Sequence, residues 1–274
     1  MNLSKTTHAV CLNAVVLLLT ACAAAPSAPP VAKPIADVKS LLWVGNSFFY
    51  YNNSMHGHVG QLLGAAGIRG LRATSATISG SGINWHDVGA HFKPGGVASY
   101  SFVGDNEVRF NTFDRPFDAV LMMDCSQCPI HPQLQSVFYD TAKRHSETVR
   151  QHGAQPAFFM SWAYSDKPEM TQQLADAYIK VGKQNNALVV PAGLAFGTAL
   201  KNRPDINLYT ADKRHPSLAG TYLGACVVMA SVYKQSPVGN PYTAGLPREA
   251  AAYLQTLAWE TTQAFHAKEG RGSL

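Results

Sequence analysis

Four apolar runs constrain this chain most: residues 41–44 (Leu-Leu-Trp-Val), 117–123 (Phe-Asp-Ala-Val-Leu-Met-Met), 156–162 (Pro-Ala-Phe-Phe-Met-Ser-Trp) and 187–190 (Ala-Leu-Val-Val). Each is too short for a buried helix and is bounded by polar or turn-forming residues, so each reads as a strand covered on both faces. Such strands, alternating with helical patterns, pack as a parallel sheet between two helical layers. The spacing predicts strands at 40–44, 71–78, 117–123, 156–162 and 187–190. Helical patterns fall at 55–66, 133–152, 171–183, 195–200, 217–233 and 248–265, with Val59, Leu62, Leu63 and Ala66 forming one apolar face of the first. Residues 96–112 alternate only partly and suggest a small hairpin. The fold class read from this pattern is α/β, three layers, with a sheet of about five strands.

The 274 residues are 46% hydrophobic and only 14% charged, which suits a chain with a sizeable core and excludes a disordered one. No internal repeat or second linker divides it, so one folded domain is expected over 39–274. The net charge of +5 is scattered, with no basic stripe interleaved with aromatics, so nucleic acid is not an expected partner.

The first residues read as a targeting segment. Lys5 supplies a basic start and residues 14–19 (Ala-Val-Val-Leu-Leu-Leu) an apolar core too short to span a membrane. Leu19-Thr20-Ala21-Cys22 resembles the bacterial lipobox, which implies a signal peptide over 1–21 and lipidation of Cys22. An ordinary secretory signal with an incidental cysteine is the alternative. Residues 22–38 then read as the lipidated cysteine and a Pro/Ala tether without large apolar side chains. By resemblance to known sorting rules, Ala23 points to the outer membrane of a bacterial envelope, facing the periplasm.

Cys125-Ser-Gln-Cys128 can close a small disulfide ring in an oxidising compartment. Zinc would need further ligands at recognisable spacing, and Pro129-Ile-His131-Pro132 gives the pair a loop rather than the helix start of a redox motif. Cys226 lies in an apolar helical run and reads as packed. No metal and no cofactor are expected.

In a parallel sheet the chemistry gathers outside the carboxyl ends of the strands. Ser47, Gly80 and residues 124–127 each follow a strand and so share that edge. A serine hydroxyl needs a base within hydrogen-bond reach. His215 is the candidate, because Asp212 three residues before it can hold one ring nitrogen and leave the other free for Ser47. The bland readings are that Ser47 caps the following helix and that Asp212 or Ser217 caps the next, leaving His215 exposed. Acyl transfer also needs donors for a developing oxyanion. The backbone amides of Ser47 and Gly80 are the candidates, with Gly82 as fallback and Ser126 or Gln127 as a side-chain donor. Trp85 and His86 are candidates to line an acyl or sugar site, against the commoner reading of packed aromatics.

Gly45-Asn46-Ser47, Gly80 and Asp212-x-x-His215 together resemble the SGNH (GDSL-type) hydrolases. Gly45-Asn46-Ser47-Phe48-Phe49-Tyr50, Trp85-His86, Ser126-x-x-Pro129 and His215-Pro216-Ser217-x-x-Gly220-x-Tyr222-Leu223 are similar to an uncharacterised subgroup of them. The resemblance spans residues 40–240 in scattered blocks. It implies a flavodoxin-like α/β/α fold, no metal, a Ser47/His215/Asp212 triad, and action on esters of lipids, small acids or acetylated sugars. Two departures stand out. Asn46 replaces the usual aspartate, and Met123-Asp124-Cys125-Ser126-Gln127 stands where a Gly-x-Asn-Asp block is usual.

The leading expectation is a membrane-tethered carboxylic ester hydrolase that removes O-acetyl groups from an envelope or extracellular glycan. The alternatives are a non-catalytic envelope lipoprotein that binds glycan or an assembly partner on the same fold, and a glycan O-acyltransferase.

Overall fold

The structure, a computed structural model, describes residues 37–113 and 115–269. The expected signal peptide, Cys22 and all but the last two residues of the tether lie outside the described residues.

Five parallel strands form the main sheet: β1 (Ser40–Gly45), β2 (Arg72–Thr77), β5 (Ala119–Met122), β6 (Gln155–Phe159) and β7 (Leu188–Val190). Their order is β2-β1-β5-β6-β7. This is the flavodoxin-like arrangement, in which the chain starts near the middle and winds outward in both directions. Helices α1 (Ser47–Tyr50), α2 (Met55–Ala65), α3 (Gln135–Gln151), α4 (Met170–Gln184), α5 (Ala192–Asn202), α6 (Leu218–Val232) and α7 (Arg248–Lys268) complete the layers.

Side chains alternate across a strand, and in β1, β5 and β6 both faces are dry, whereas the edge strand β2 stays partly exposed. Leu41 and Trp43 of β1, with Leu121 of β5 and Phe159 of β6, pack against α2, α5, α6 and α7. Leu42 and Val44, with Val120, Met122 and Phe158, pack against α3 and α4. Each large side chain buried this way contributes roughly 1.5–3 kcal/mol before entropy is charged. Two-sided burial is why the strands read as continuous apolar runs.

The differences from the sequence expectation lie at the ends. Strand β6 stops at Phe159, yet Met160 and Trp162 remain fully buried. Trp162 stacks between Phe48 (4.6 Å) and Phe196 (4.1 Å), so its apolar run continues as packing rather than as sheet. The hairpin forms a separate antiparallel pair, β3 (Tyr100–Gly104) with β4 (Glu107–Phe110). Helix α6 is apolar all round because it is buried from Ala219 to Val232. Among the described residues no helix is long and apolar enough to cross a membrane. At its start Gly220 is required, since a Cβ there would lie 2.3 Å from the Leu208 carbonyl oxygen. That close approach seats the segment carrying His215 against the sheet edge.

Candidate active site

Strand β1 ends at Gly45, where an added Cβ would come within 2.8 Å of the Phe49 ring. The chain therefore turns at once, and Ser47 becomes the first residue of α1. Asn46, not Ser47, caps this helix: its Oδ1 accepts from the Phe48 amide at 3.2 Å. Its Nδ2 donates to the carbonyls of Ser81 (2.9 Å) and Asp124 (3.2 Å). One side chain thus ties together the segments that follow β1, β2 and β5.

The histidine loop is equally determined. Asp212 Oδ1 accepts from Thr210 Oγ1 (2.8 Å) and from the amides of Arg214 (2.9 Å) and His215 (3.0 Å). Asp212 Oδ2 is hydrogen bonded to His215 Nδ1. Partial desolvation acts to raise the Asp212 pKa, but these donors outweigh it and hold the group well below the usual carboxylate range. Ser217 caps α6, accepting from the Gly220 amide at 3.2 Å, so neither Asp212 nor Ser47 serves as a helix cap.

His215 Nε2 lies 2.8 Å from Ser47 Oγ. With Nδ1–H held by an ionised carboxylate, Nε2 carries the lone pair that faces the hydroxyl. The structure thus brings Ser47, His215 and Asp212 into one hydrogen-bonded row.

The imidazole is also held by its faces. Tyr51 stacks on it at 4.3 Å and an interplanar angle of 9°, and Phe48 meets it edge-on at 5.5 Å. Asn52 Nδ2 donates to the Pro216 carbonyl (2.9 Å) and to Thr221 Oγ1 (2.8 Å), joining the serine segment to the histidine segment. Asn52, Asn53 and Ser54 all have positive φ, of 54°, 63° and 70°. His58 Nε2 secures this left-handed turn at the Asn52 carbonyl, 2.7 Å away. Sequence reasoning missed Tyr51 and Asn52. The signal within reach was the Asn-Asn pair, since Asn tolerates left-handed backbone better than most residues.

The other expected site residues divide. Ser47 N–H, at the first turn of a helix, has no intrahelical acceptor. Gly80 has φ +70°, open space where a Cβ would be, and no hydrogen bond among the described residues. Gly82 is walled in, because a Cβ there would meet Asn84 Oδ1 at 2.6 Å and Asp124 Oδ1 at 2.7 Å. Ser126 Oγ is engaged with Tyr164 Oη at 2.7 Å, while Gln127 is exposed. Trp85 is 62% exposed. His86 does not line an open site: it is buried, and its Nε2 lies 3.1 Å from both the Gly45 carbonyl and Ser81 Oγ. Desolvation pushes its pKa down to about 4, so it is a neutral prop under the β1 turn.

Asp124 is 3% exposed and accepts from the amides of Ile83 (2.9 Å) and Cys125 (2.8 Å). Burial raises its pKa to about 6 despite those donors. Cys125 and Cys128 are disulfide bonded, and Cys226 is a buried free thiol. Four surface cavities of about 380 to 640 Å³ lie elsewhere, none lined by Ser47 or His215.

No family model and no curated protein matches the sequence. Solved structures do match it in shape. A DUF4886 family protein from Bacteroides uniformis aligns with TM-score 0.60 at 18% identity, over 82% of this chain and 95% of that one. A catalytic mutant of an acetylxylan esterase from Geobacillus stearothermophilus aligns with TM-score 0.53 at 16% identity, over 71% and 94%. A protein from Slackia heliotrinireducens, described as a candidate SGNH hydrolase, aligns with TM-score 0.50 at 20% identity, over 71% and 99%. The fold is therefore the α/β/α fold of SGNH hydrolases, and the structural neighbours include esterases of that fold.

Proposed function

We propose that the protein is a serine hydrolase of carboxylic esters, tethered to the bacterial envelope through lipidated Cys22. The observation that carries this is the Ser47 Oγ–His215 Nε2 contact of 2.8 Å with Asp212 on the opposite ring nitrogen. In this reading His215 takes the Ser47 proton as Oγ attacks the ester carbonyl. The alcohol leaves with that proton, and a water activated by His215 then hydrolyses the acyl-serine. The amides of Ser47 and Gly80 are the proposed oxyanion donors. We assign O-acetyl groups on a glycan as substrate, because His215 and Asp212 lie at an open rim, their side chains 25% and 45% exposed. The acetylxylan esterase of similar shape is consistent with that choice.

Asp124, in the place where the family resemblance leads one to expect a side-chain amide donor, favours the second reading, a glycan-binding lipoprotein without turnover. A fluorophosphonate probe with mapping of the labelled residue separates the two. Ser47 should be labelled in wild type, and Ser47→Ala should abolish turnover of chromogenic acetate and butyrate esters. Asp212→Asn should retain a measurable remnant, on the order of 10⁴-fold below wild type. Equal rates for wild type and Ser47→Ala would remove the hydrolase reading.

A further inference from the structure

Arg214 immediately precedes His215, and its backbone is held on both sides. Its amide donates to Asp212 Oδ1 at 2.9 Å, and its carbonyl accepts from Trp162 Nε1 at 3.0 Å. The side chain is directed as well. Its guanidinium carbon lies 4.8 Å from the centroid of the buried Tyr164 ring, whose hydroxyl bonds Ser126 Oγ at 2.7 Å on the loop after β5. The cation therefore rests on the catalytic edge of the sheet, on the β5–β6 side of Ser47.

Among the described residues no carboxylate pairs with it. The acids on the adjoining segments are committed elsewhere: Asp212 to His215, and Asp166 to Lys213 at 3.4 Å. Other arginines of the chain, Arg115 and Arg203, do have carboxylate partners. A planar guanidinium held against an aromatic ring keeps its donors in a fixed fork, the geometry that matches a carboxylate. On the β2 side of the same edge, Trp85 offers an exposed apolar face of the kind a sugar ring covers.

We propose that Arg214, seated on Tyr164, forms an anion-recognition subsite beside the Ser47–His215–Asp212 row and selects acidic glycans, whose uronic acid carboxylates pair with the guanidinium, over neutral ones. The substrate class deepens the ester-hydrolase reading and rests on it, whereas the binding preference stands apart from turnover.

Two arms test it with the full chain. In the first, the Ser47→Ala variant is titrated calorimetrically with oligogalacturonides and with neutral xylo-oligosaccharides of equal length. The acidic series should bind about tenfold more tightly at low salt, and the difference should shrink toward one at high salt or on adding Arg214→Gln. Arg214→Lys should restore part of it, as a point charge without the fork. In the second, kcat/KM of wild type is compared on acetylated forms of the two oligosaccharides, with the same preference expected in KM. Equal affinity for the two series, or a preference that survives Arg214→Gln, overturns the proposal. A binding preference without any turnover or fluorophosphonate labelling would keep the subsite and discard the hydrolase.

Discussion

Replacing Asn46 by aspartate, the residue more usual in the resembling family, should damage this protein. Asn46 is 4% exposed and its Nδ2 donates to the Ser81 and Asp124 carbonyls, while its Oδ1 accepts from the Phe48 amide. Asn46→Asp keeps the acceptor and so keeps the cap. It removes both donors and sets a carboxylate oxygen against two buried carbonyls. Each orphaned buried carbonyl costs about 1–3 kcal/mol, so the pair costs roughly 4 kcal/mol at neutral pH. For a domain of this size that lowers the melting temperature by about 10 °C. The new carboxyl is buried against acceptors, so its folded pKa lies above its unfolded value of about 3.9. A raised carboxyl pKa means that stability is retained below the unfolded value and lost as pH rises through the folded one. The deficit relative to wild type should therefore fall to roughly half at pH 4 and be full at pH 7.5, because a protonated carboxyl can donate one of the two bonds. Circular-dichroism melts of wild type, Asn46→Asp and Asn46→Ala at both pH values measure this. Equal melting of wild type and Asn46→Asp at pH 7.5 would show that the three-segment tie carries no weight.

Asp124→Asn should act in the opposite sense: its native pKa of about 6 means that the ionised form destabilises the fold increasingly as pH rises from about 4 through 6. Asparagine still accepts from Ile83 and Cys125, so the variant should gain at most about 3 kcal/mol at pH 7.5 and nothing at pH 4, read by denaturant titration. Asn52→Gly keeps the left-handed backbone but deletes both bonds to the histidine loop, and should lower kcat on acetate esters roughly tenfold or more with little change in KM. Tyr51→Leu removes the stacking face from His215 and should lower kcat on acetate esters roughly tenfold with little change in KM, whereas Tyr51→Phe should not. Cys22→Ala should release the protein from the membrane fraction without altering its melting, and unchanged retention on fractionation would argue against the lipid anchor.

The layers were legible because two-sided burial leaves a short unbroken apolar run, as in Leu41 to Val44, closed at once by polar or turn residues as a covered parallel strand is. The same signal overran at β6, since apolarity reports burial and cannot tell sheet from the packed turn that carries Trp162. Ser47 and His215 could be paired from sequence because strand ends share one edge whatever the details of packing. His86 could not be assigned that way. A histidine beside an exposed tryptophan reads as lining until its Nε2 is seen against the Gly45 carbonyl. Tyr51 and Asn52 were hidden for a different reason, as their partners lie 164 and more residues away and are a ring face, a carbonyl and a hydroxyl without a motif of their own.

The two departures from the family pattern, which looked independent in the sequence, touch each other. Asn46 Nδ2 reaches the carbonyl of Asp124, whose own carboxylate holds the Ile83 amide and so orders the turn leading to Trp85. An aspartate at both positions would bury two carboxylates in one corner with too few donors between them. The corner is built for one acid and one amide, with the acid at 124. On that view Asp124→Asn should relieve part of the loss caused by Asn46→Asp, because only one buried carboxylate then remains. The double variant should melt higher at pH 7.5 than additive single effects allow, by a coupling of about 1 kcal/mol or more. Strict additivity would mean that the two substitutions do not sense each other, and that the departures arose as separate features of the chain.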